Sequence, residues 1–179
     1  MIIGDRVYLR AFDRKDVAIR AQWMNDPDVR SYLNNPFPVS ESSTESWLSK
    51  VNSDASRIDL IICLKEDSKP IGYTGYRDID FINGKTEIYI GIGEKKYWGK
   101  GLAKESLIIS LNYIVSRYNV NSIYAKMITK NESSIGLFKK VGFQEDGVLR
   151  SHIFFRGEYQ DMKVMSILRD EFQRLNAQL

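Results

Sequence analysis

The sequence predicts an α/β chain of the α+β kind: a central mixed, mostly antiparallel twisted sheet of about seven strands flanked by helices, in one domain over residues 1–179. Three observations carry this expectation. Strand-like and helix-like runs come in blocks instead of a repeated strand–helix alternation. Three β-rich runs between Arg57 and Ile92 are joined by short turns, which implies antiparallel neighbours. The last of them ends in a glycine-dense turn that opens directly into an amphipathic helix.

Arg6–Phe12 alternates enough to form a first strand. Asp13 then caps a helix reaching about Asn25, with Val17, Ile19, Trp23 and Met24 on its apolar face. Asp26-Pro27 and Asn35-Pro36-Phe37-Pro38 break the chain, with a short helix over Val29–Leu33 between them. Ser40 caps a helix through Trp47, Leu48 and Val51. Strands follow at Arg57–Leu64, Ile71–Phe81 and Lys85–Ile92, the last two joined by the hairpin signal Asn83-Gly84. Leu107, Ile108, Leu111, Ile114, Val115 and Tyr118 form one buried stripe on the next helix. Ile123–Thr129 is a strand. Asn131 caps a short helix with Ile135, Phe138 and Val141 inward, and Gly142 ends it. Val148–Phe155 and Asp161–Leu168 close the chain as a hairpin, with a polar tail helix after them.

Composition narrows the function classes. Hydrophobic residues at 43% and charged residues at 27% suit a soluble globular protein with a substantial core. No apolar run reaches the ~18–20 residues that span a bilayer, and the N-terminus is unlike a secretory signal, so a cytoplasmic location is expected. The net charge of +3 is interspersed, which argues against nucleic acid and membrane partners. Cys63 is the only cysteine and lies in an apolar run, so it reads as a small core residue and not a nucleophile.

The segment Thr86–Ala103, TEIYIGIGEKKYWGKGLA, carries the chemistry. Free backbone N–H groups at a helix start, beside glycines that admit a ligand, make an anion site. A phosphate or pyrophosphate is expected there. A P-loop needs four residues between its first glycine and Gly-Lys, then Ser or Thr; here five residues lie between Gly93 and Gly99, and Gly101 replaces the hydroxyl. A dinucleotide fingerprint would need glycine where Lys96 stands.

What remains, Lys96-Tyr97-Trp98-Gly99-Lys100-Gly101-Leu102-Ala103, resembles the pyrophosphate motif of the GNAT superfamily of acetyl-CoA-dependent N-acetyltransferases. Gly99 and Gly101 match; Lys96 replaces the usual Arg or Gln, keeping charge without the planar fork. NESSIGLFKKVGF resembles the second cofactor segment. RVYLRAFDRKDV, WMNDPDVRSYL and the stretch Glu145–Phe172 resemble the ribosomal-protein N-acetyltransferase (RimJ/RimL-type) branch, so the likeness spans the chain.

The resemblance implies the GNAT fold, acetyl-CoA as cofactor, no metal, and direct attack of a primary amine on the thioester in a ternary complex. It leaves open a monomer or a homodimer. The acceptor is a small-molecule amine (a polyamine or amino sugar) or a protein N-terminus. An alkylamine of pKa about 10.4 is unprotonated in only about one molecule in 2,500 at neutral pH, so a base is needed. Glu87 is the expected base: Glu87, Tyr89 and Gly91 share one strand face, Ile88, Ile90 and Ile92 the other. A solvated polar face would explain Glu87 equally.

Cofactor contacts implied are Ile90, Gly91 and Ile92, where a main-chain N–H could take the oxyanion, with Lys96–Ala103, Asn131 on the pantetheine chain, and Phe138. The tyrosine that many members use to protonate the thiolate is Phe138 here, which cannot donate. Ser134 is the substitute, unless Asn131 and Ser134 only satisfy helix-start amides. Tyr32, Tyr76 and Asp78 are expected to line the acceptor pocket, and His152, the only histidine, to contact substrate or serve as base. Asp161 would orient substrate or pair with Arg150. A non-catalytic acyl-CoA-binding module on the same fold is the competing class.

Overall fold

The computed structural model describes residues 1–35 and 37–177; Pro36, within the expected Asn35–Pro38 break, lies outside the described residues. One eight-stranded sheet runs in the order β1-β2-β3-β4-β5-β6-β8-β7. The strands are β1 (Ile2–Ile3), β2 (Val7–Ala11), β3 (Ile58–Leu64), β4 (Pro70–Asp80), β5 (Lys85–Ile92), β6 (Ser122–Ile128), β7 (Gln144–Phe155) and β8 (Glu158–Leu168). Only β5 and β6 are parallel. The helices are α1 (Val17–Asn25), α2 (Glu41–Val51), α3 (Leu102–Arg117), α4 (Glu132–Val141) and α5 (Arg169–Asn176).

Strand β1 is the one described strand the sequence does not announce, since two residues carry no period. The closing hairpin is longer than expected at both strands. Asp13 caps a single 3-10 turn, Arg14–Asp16, before α1 begins. Asp16 there is buried and takes a bidentate pair from Arg10, at 2.6 and 2.7 Å, which fastens the helix entry to β2. Ser40 forms a full capping box on α2, and Gly142 ends α4 at φ +103.

Strand alternation sorts the core onto two sides. Leu60, Ile62 and Leu64 face the start of α3, whereas Ile61 and Cys63 face Phe12, Trp23 and Leu48. Ile88 lies with Leu107, Leu111 and Ile114 of α3. The expected α3 stripe holds, with Ser106 and Ser110 also buried in it and Tyr118 just past the helix end.

Tyr76 is corrected here. It faces α3, is fully buried, and its hydroxyl lies 2.9 Å from Ser110 Oγ. It is a core residue and lines no acceptor pocket, because its β4 position puts it on the helix α3 side. Burial raises its phenol well above the ordinary tyrosine value, so it stays neutral. Tyr76→Phe strands the buried Ser110 hydroxyl and is expected to cost about 1–2 kcal/mol. A melting temperature lower by about 2–8 °C, with the acceptor KM unchanged, would be the signature.

Among the described residues no helix is long and apolar enough to cross a membrane.

Candidate active site

The site begins where a ladder stops. β5 pairs with β4 along its length, from Arg77↔Glu87 to Gly72↔Ile92. Its pairing with β6 covers only Lys85, Thr86 and Glu87. β6 continues to Ile128 against β8. Past Glu87 the two parallel strands part, leaving an unpaired main-chain edge on each. A cavity of about 460 Å³ occupies the wedge and extends under α1 and α2. That size suits a small-molecule site.

Glu87 sits at the neck of the wedge and is 1% exposed, so the solvated-face reading is corrected. Arg77 Nη2 donates to its Oε1, and Lys126 Nζ stands 3.0 Å from Oε2. The lysine contact lacks hydrogen-bond geometry, and Oε2 is buried with no hydrogen-bond partner among the described residues. Such an atom in a folded interior points to a use. Two residues on, Tyr89 gives its hydroxyl to Asp59 on β3, across β4. Gly75 makes this crossing possible: a Cβ there would lie 2.4 Å from the Tyr89 hydroxyl.

The glycine turn divides by function. A Cβ on Gly91 would strike the Tyr73 ring at 2.6 Å, and one on Gly93 the Trp23 ring at 2.1 Å. Packing accounts for these two. Gly99 and Gly101 instead have φ of +72 and +78, and nothing lies within 4 Å of a Cβ at Gly99. Gly101 is the N-cap of α3 and brings no side chain to the first-turn amides, whereas Ser40 caps α2 and Asn131 caps α4. The 16-residue α3 therefore presents free N–H groups and the positive end of its dipole to open space.

The side chains around that loop take different directions. Leu102 is buried and Tyr97 half-buried in the core beneath the α3 start, so their contribution to an anion site is main chain only; Ala103 is half-buried beside them. Lys96 and Lys100 are exposed, with their ammonium groups 4.9 and 5.4 Å from the Tyr97 ring centre. Trp98 donates its indole N–H to the Ile92 carbonyl at 2.8 Å, which folds the loop back onto β5. Arg6, not singled out by the sequence, donates to the Lys100 carbonyl at 3.0 Å and pairs through Nε with Glu105 in the first turn of α3 at 2.9 Å.

On the β6 side, Asn131 caps α4 through Ser134 N at 3.1 Å and also accepts from Ser133 Oγ at 2.9 Å. Ser134, Phe138, Ile90 and Glu87 all line the cavity. The Ser134 hydroxyl makes no hydrogen bond among the described residues, while Phe138 packs edge-on against Phe143 with ring centres 4.8 Å apart.

The part of the cavity expected to hold the acceptor differs most from expectation. Tyr32 lines the cavity at its rim, 41% exposed. Asp78 does not reach it: it is exposed, at φ +54, in the irregular stretch of β4 between Arg77 and Asp80. His152 is also exposed and outside the cavity, beside a break in the β7–β8 register. Asp161 accepts from Ser151 N at 2.8 Å and does not pair with Arg150. The wall is built instead by Arg20, Trp47, Arg57, Asp59, Tyr73 and Tyr89. These are scattered over α1, α2 and three strands, so no local spacing announces them. Burial pushes the Tyr73 phenol up to about 12, and burial beside Asp59 raises that of Tyr89 well above its usual value; neither serves as a base near neutrality.

The chain is similar to known proteins in sequence and fold. Residues 6–144 match the acetyltransferase (GNAT) domain family. An uncharacterised N-acetyltransferase of Bacillus licheniformis is 32% identical, over 94% of this chain and 96% of its own length. The spermidine N(1)-acetyltransferase of Vibrio cholerae is 27% identical over 95% and 97% of the two chains. The crystal structure of the Vibrio cholerae spermidine N-acetyltransferase with CoA and spermine has a TM-score of 0.86 at 27% identity, covering 94% of this chain and 98% of that one. With a family match over most of its length and relatives that span it nearly end to end, the chain belongs to the GNAT acetyltransferase family and is an acetyl-CoA-dependent N-acetyltransferase.

Proposed function

We propose that this chain, as one catalytic unit in the cytoplasm, moves the acetyl group of acetyl-CoA to a small primary amine by direct attack in a ternary complex. The wedge between β5 and β6, with Glu87 at its neck, carries this reading. It offers an unpaired strand edge on one side and a buried carboxylate oxygen without a hydrogen bond on the other.

The residues fit acetyl-CoA. The uncapped α3 start and the open face of Gly99 suit a diphosphate, with Lys96 and Lys100 as nearby cations. From Glu87 to Ile92 is about 16 Å along the strand, at ~3.3 Å per residue, so β5 links the anion loop to the neck. Acetyl-CoA supplies an acyl group activated as a thioester. The β5 amides between Ile90 and Ile92 receive the negative charge that develops on the acyl oxygen. Asn131 holds the arm of the cofactor, and Phe138 gives it an apolar wall. Glu87 removes the proton of the incoming amine, directly or through water, and Ser134 donates toward the departing sulfur.

Spermidine is among the acceptors to test, given the named relatives. The ribosomal-protein branch would instead favour a protein N-terminus, and amino sugars complete the panel. Purified protein should bind acetyl-CoA in calorimetry and release thiol with at least one of these amines. Binding without turnover across spermidine, amino sugars, aminoglycosides and peptide N-termini would leave a non-catalytic acyl-CoA-binding module. Ser134→Ala is expected to lower kcat by about tenfold, below the usual ~10²–10⁴ for a proton-transfer group, because water can replace a hydroxyl. An unchanged kcat would assign Ser134 to the α4 cap alone.

A further inference from the structure

The charges lining the cavity do not suit a polycation. Four cationic side chains, Arg20, Arg57, Arg77 and Lys126, face two carboxylates, Asp59 and Glu87. Both carboxylates are already engaged. Asp59 takes Arg57 through Nε at 3.3 Å and Nη2 at 3.2 Å, and also the Tyr89 hydroxyl. Glu87 is shared by Arg77 and Lys126. No acidic group in the wall is left for a second ammonium.

Arg20 is left over on the other side of the account. It projects from α1 into the cavity and makes no hydrogen bond or ion pair among the described residues. Its guanidinium lies 3.9 Å from the Trp47 ring centre, which fixes its plane. Arg57 flanks the same ring at 6.0 Å. Burial pulls the Arg20 pKa below its ordinary value, and the field of the Asp59 carboxylate offsets only part of that. A planar, oriented guanidinium with free donors is the group that binds a carboxylate or a phosphate in a forked pair.

We infer that the acceptor is a primary amine that also carries an anionic group, a carboxylate or a phosphate, held by Arg20 beside Trp47 while its amine faces Glu87. This rests on the acetyl-transfer reading and specifies its substrate class. A polyamine brings only positive charge near neutrality, since each alkylammonium has a pKa near about 10.4. It meets a wall of like charge. An amine with a remote anion neutralises Arg20 at one end and delivers a nucleophile at the other.

Matched pairs of acceptors test this with the full chain and acetyl-CoA, by thiol release. Glucosamine against glucosamine 6-phosphate reads the phosphate form; pentylamine against 5-aminopentanoate reads the carboxylate form. At least one anionic member is expected to show a kcat/KM about tenfold or more above its neutral mate, and above spermidine. Arg20→Gln should shrink that ratio to about twofold, through the acceptor KM. Arg20→Lys, which keeps the charge, should retain part of it even if the glutamine variant folds poorly. Spermidine turned over as well as or better than both anionic amines would overturn the inference and leave acetyl transfer standing. Ratios near one in both pairs would do the same. Acetyl-CoA binding without thiol release from any amine would remove the transfer reading itself, and this inference with it.

Discussion

Replacing Glu87 by glutamine is expected to lower kcat by about 10²–10³-fold at pH 7, with the acetyl-CoA KM changed by less than about twofold. The amide keeps the shape of the side chain and can still accept from Arg77. It cannot take a proton from the amine. The variant should lose the part of the pH–rate profile that depends on a general base. The rise due to the amine's own deprotonation should remain.

A purely structural role predicts another pattern. Removing one member of a fully buried ion pair costs about 3–5 kcal/mol. Here the Arg77 and Lys126 side chains are 44% and 30% exposed, so solvent screens much of that cost. If Glu87 only holds these cations, the melting temperature falls and kcat, measured well below it, survives with its pH profile intact. That result would take Glu87 out of the base role.

Gly101→Val is expected to weaken acetyl-CoA binding by about 30-fold or more, equivalent to about 2 kcal/mol. Gly101 holds φ +78 at the N-cap of α3, a conformation that strains a β-branched residue by about 1–3 kcal/mol. Relief of that strain turns the first α3 amides away from the space they now face. Gly101→Asn separates conformation from bulk, because asparagine tolerates the left-handed region. It should bind within about fivefold of wild type. Equal losses in the valine and asparagine variants would show that the backbone angle is not what the site needs. Wild-type affinity in both would remove the α3 start from the cofactor site.

The legible parts of this protein are those written in local chemistry. Asn131 and Gly142 bound α4 because a side-chain acceptor and a left-handed residue end helices wherever they occur. Lys85–Ile92 reads as a strand after the Asn83-Gly84 hairpin signal, and the structure gives the same limits. The uncapped entry to α3 was visible as glycines set against a helical stripe. Less was legible in Gly91 and Gly93, which look like part of one phosphate loop. Aromatic rings from distant segments explain them.

The acceptor side was the least legible. Tyr76 and Asp78 have residue types that suit an amine pocket, yet one faces α3 and the other sits exposed in a strand irregularity. Their neighbours in sequence say nothing about which sheet face meets α1 and α2. Arg20, Arg57 and Asp59 form the wall because an interior residue is chosen by three-dimensional proximity, and side chains far apart in the chain share one low-dielectric space.

The amino-acid sequence by itself determined the order of the longer elements, the caps of α2 and α4 and the glycine entry to α3, since each depends on interactions within a few residues. The tertiary structure alone decided where β5 leaves β6, how deeply Glu87 is buried and which charge goes unmatched in the wall. Those depend on the meeting of strands and helices from opposite ends of the chain, and Coulomb and desolvation energies exist only once they have met.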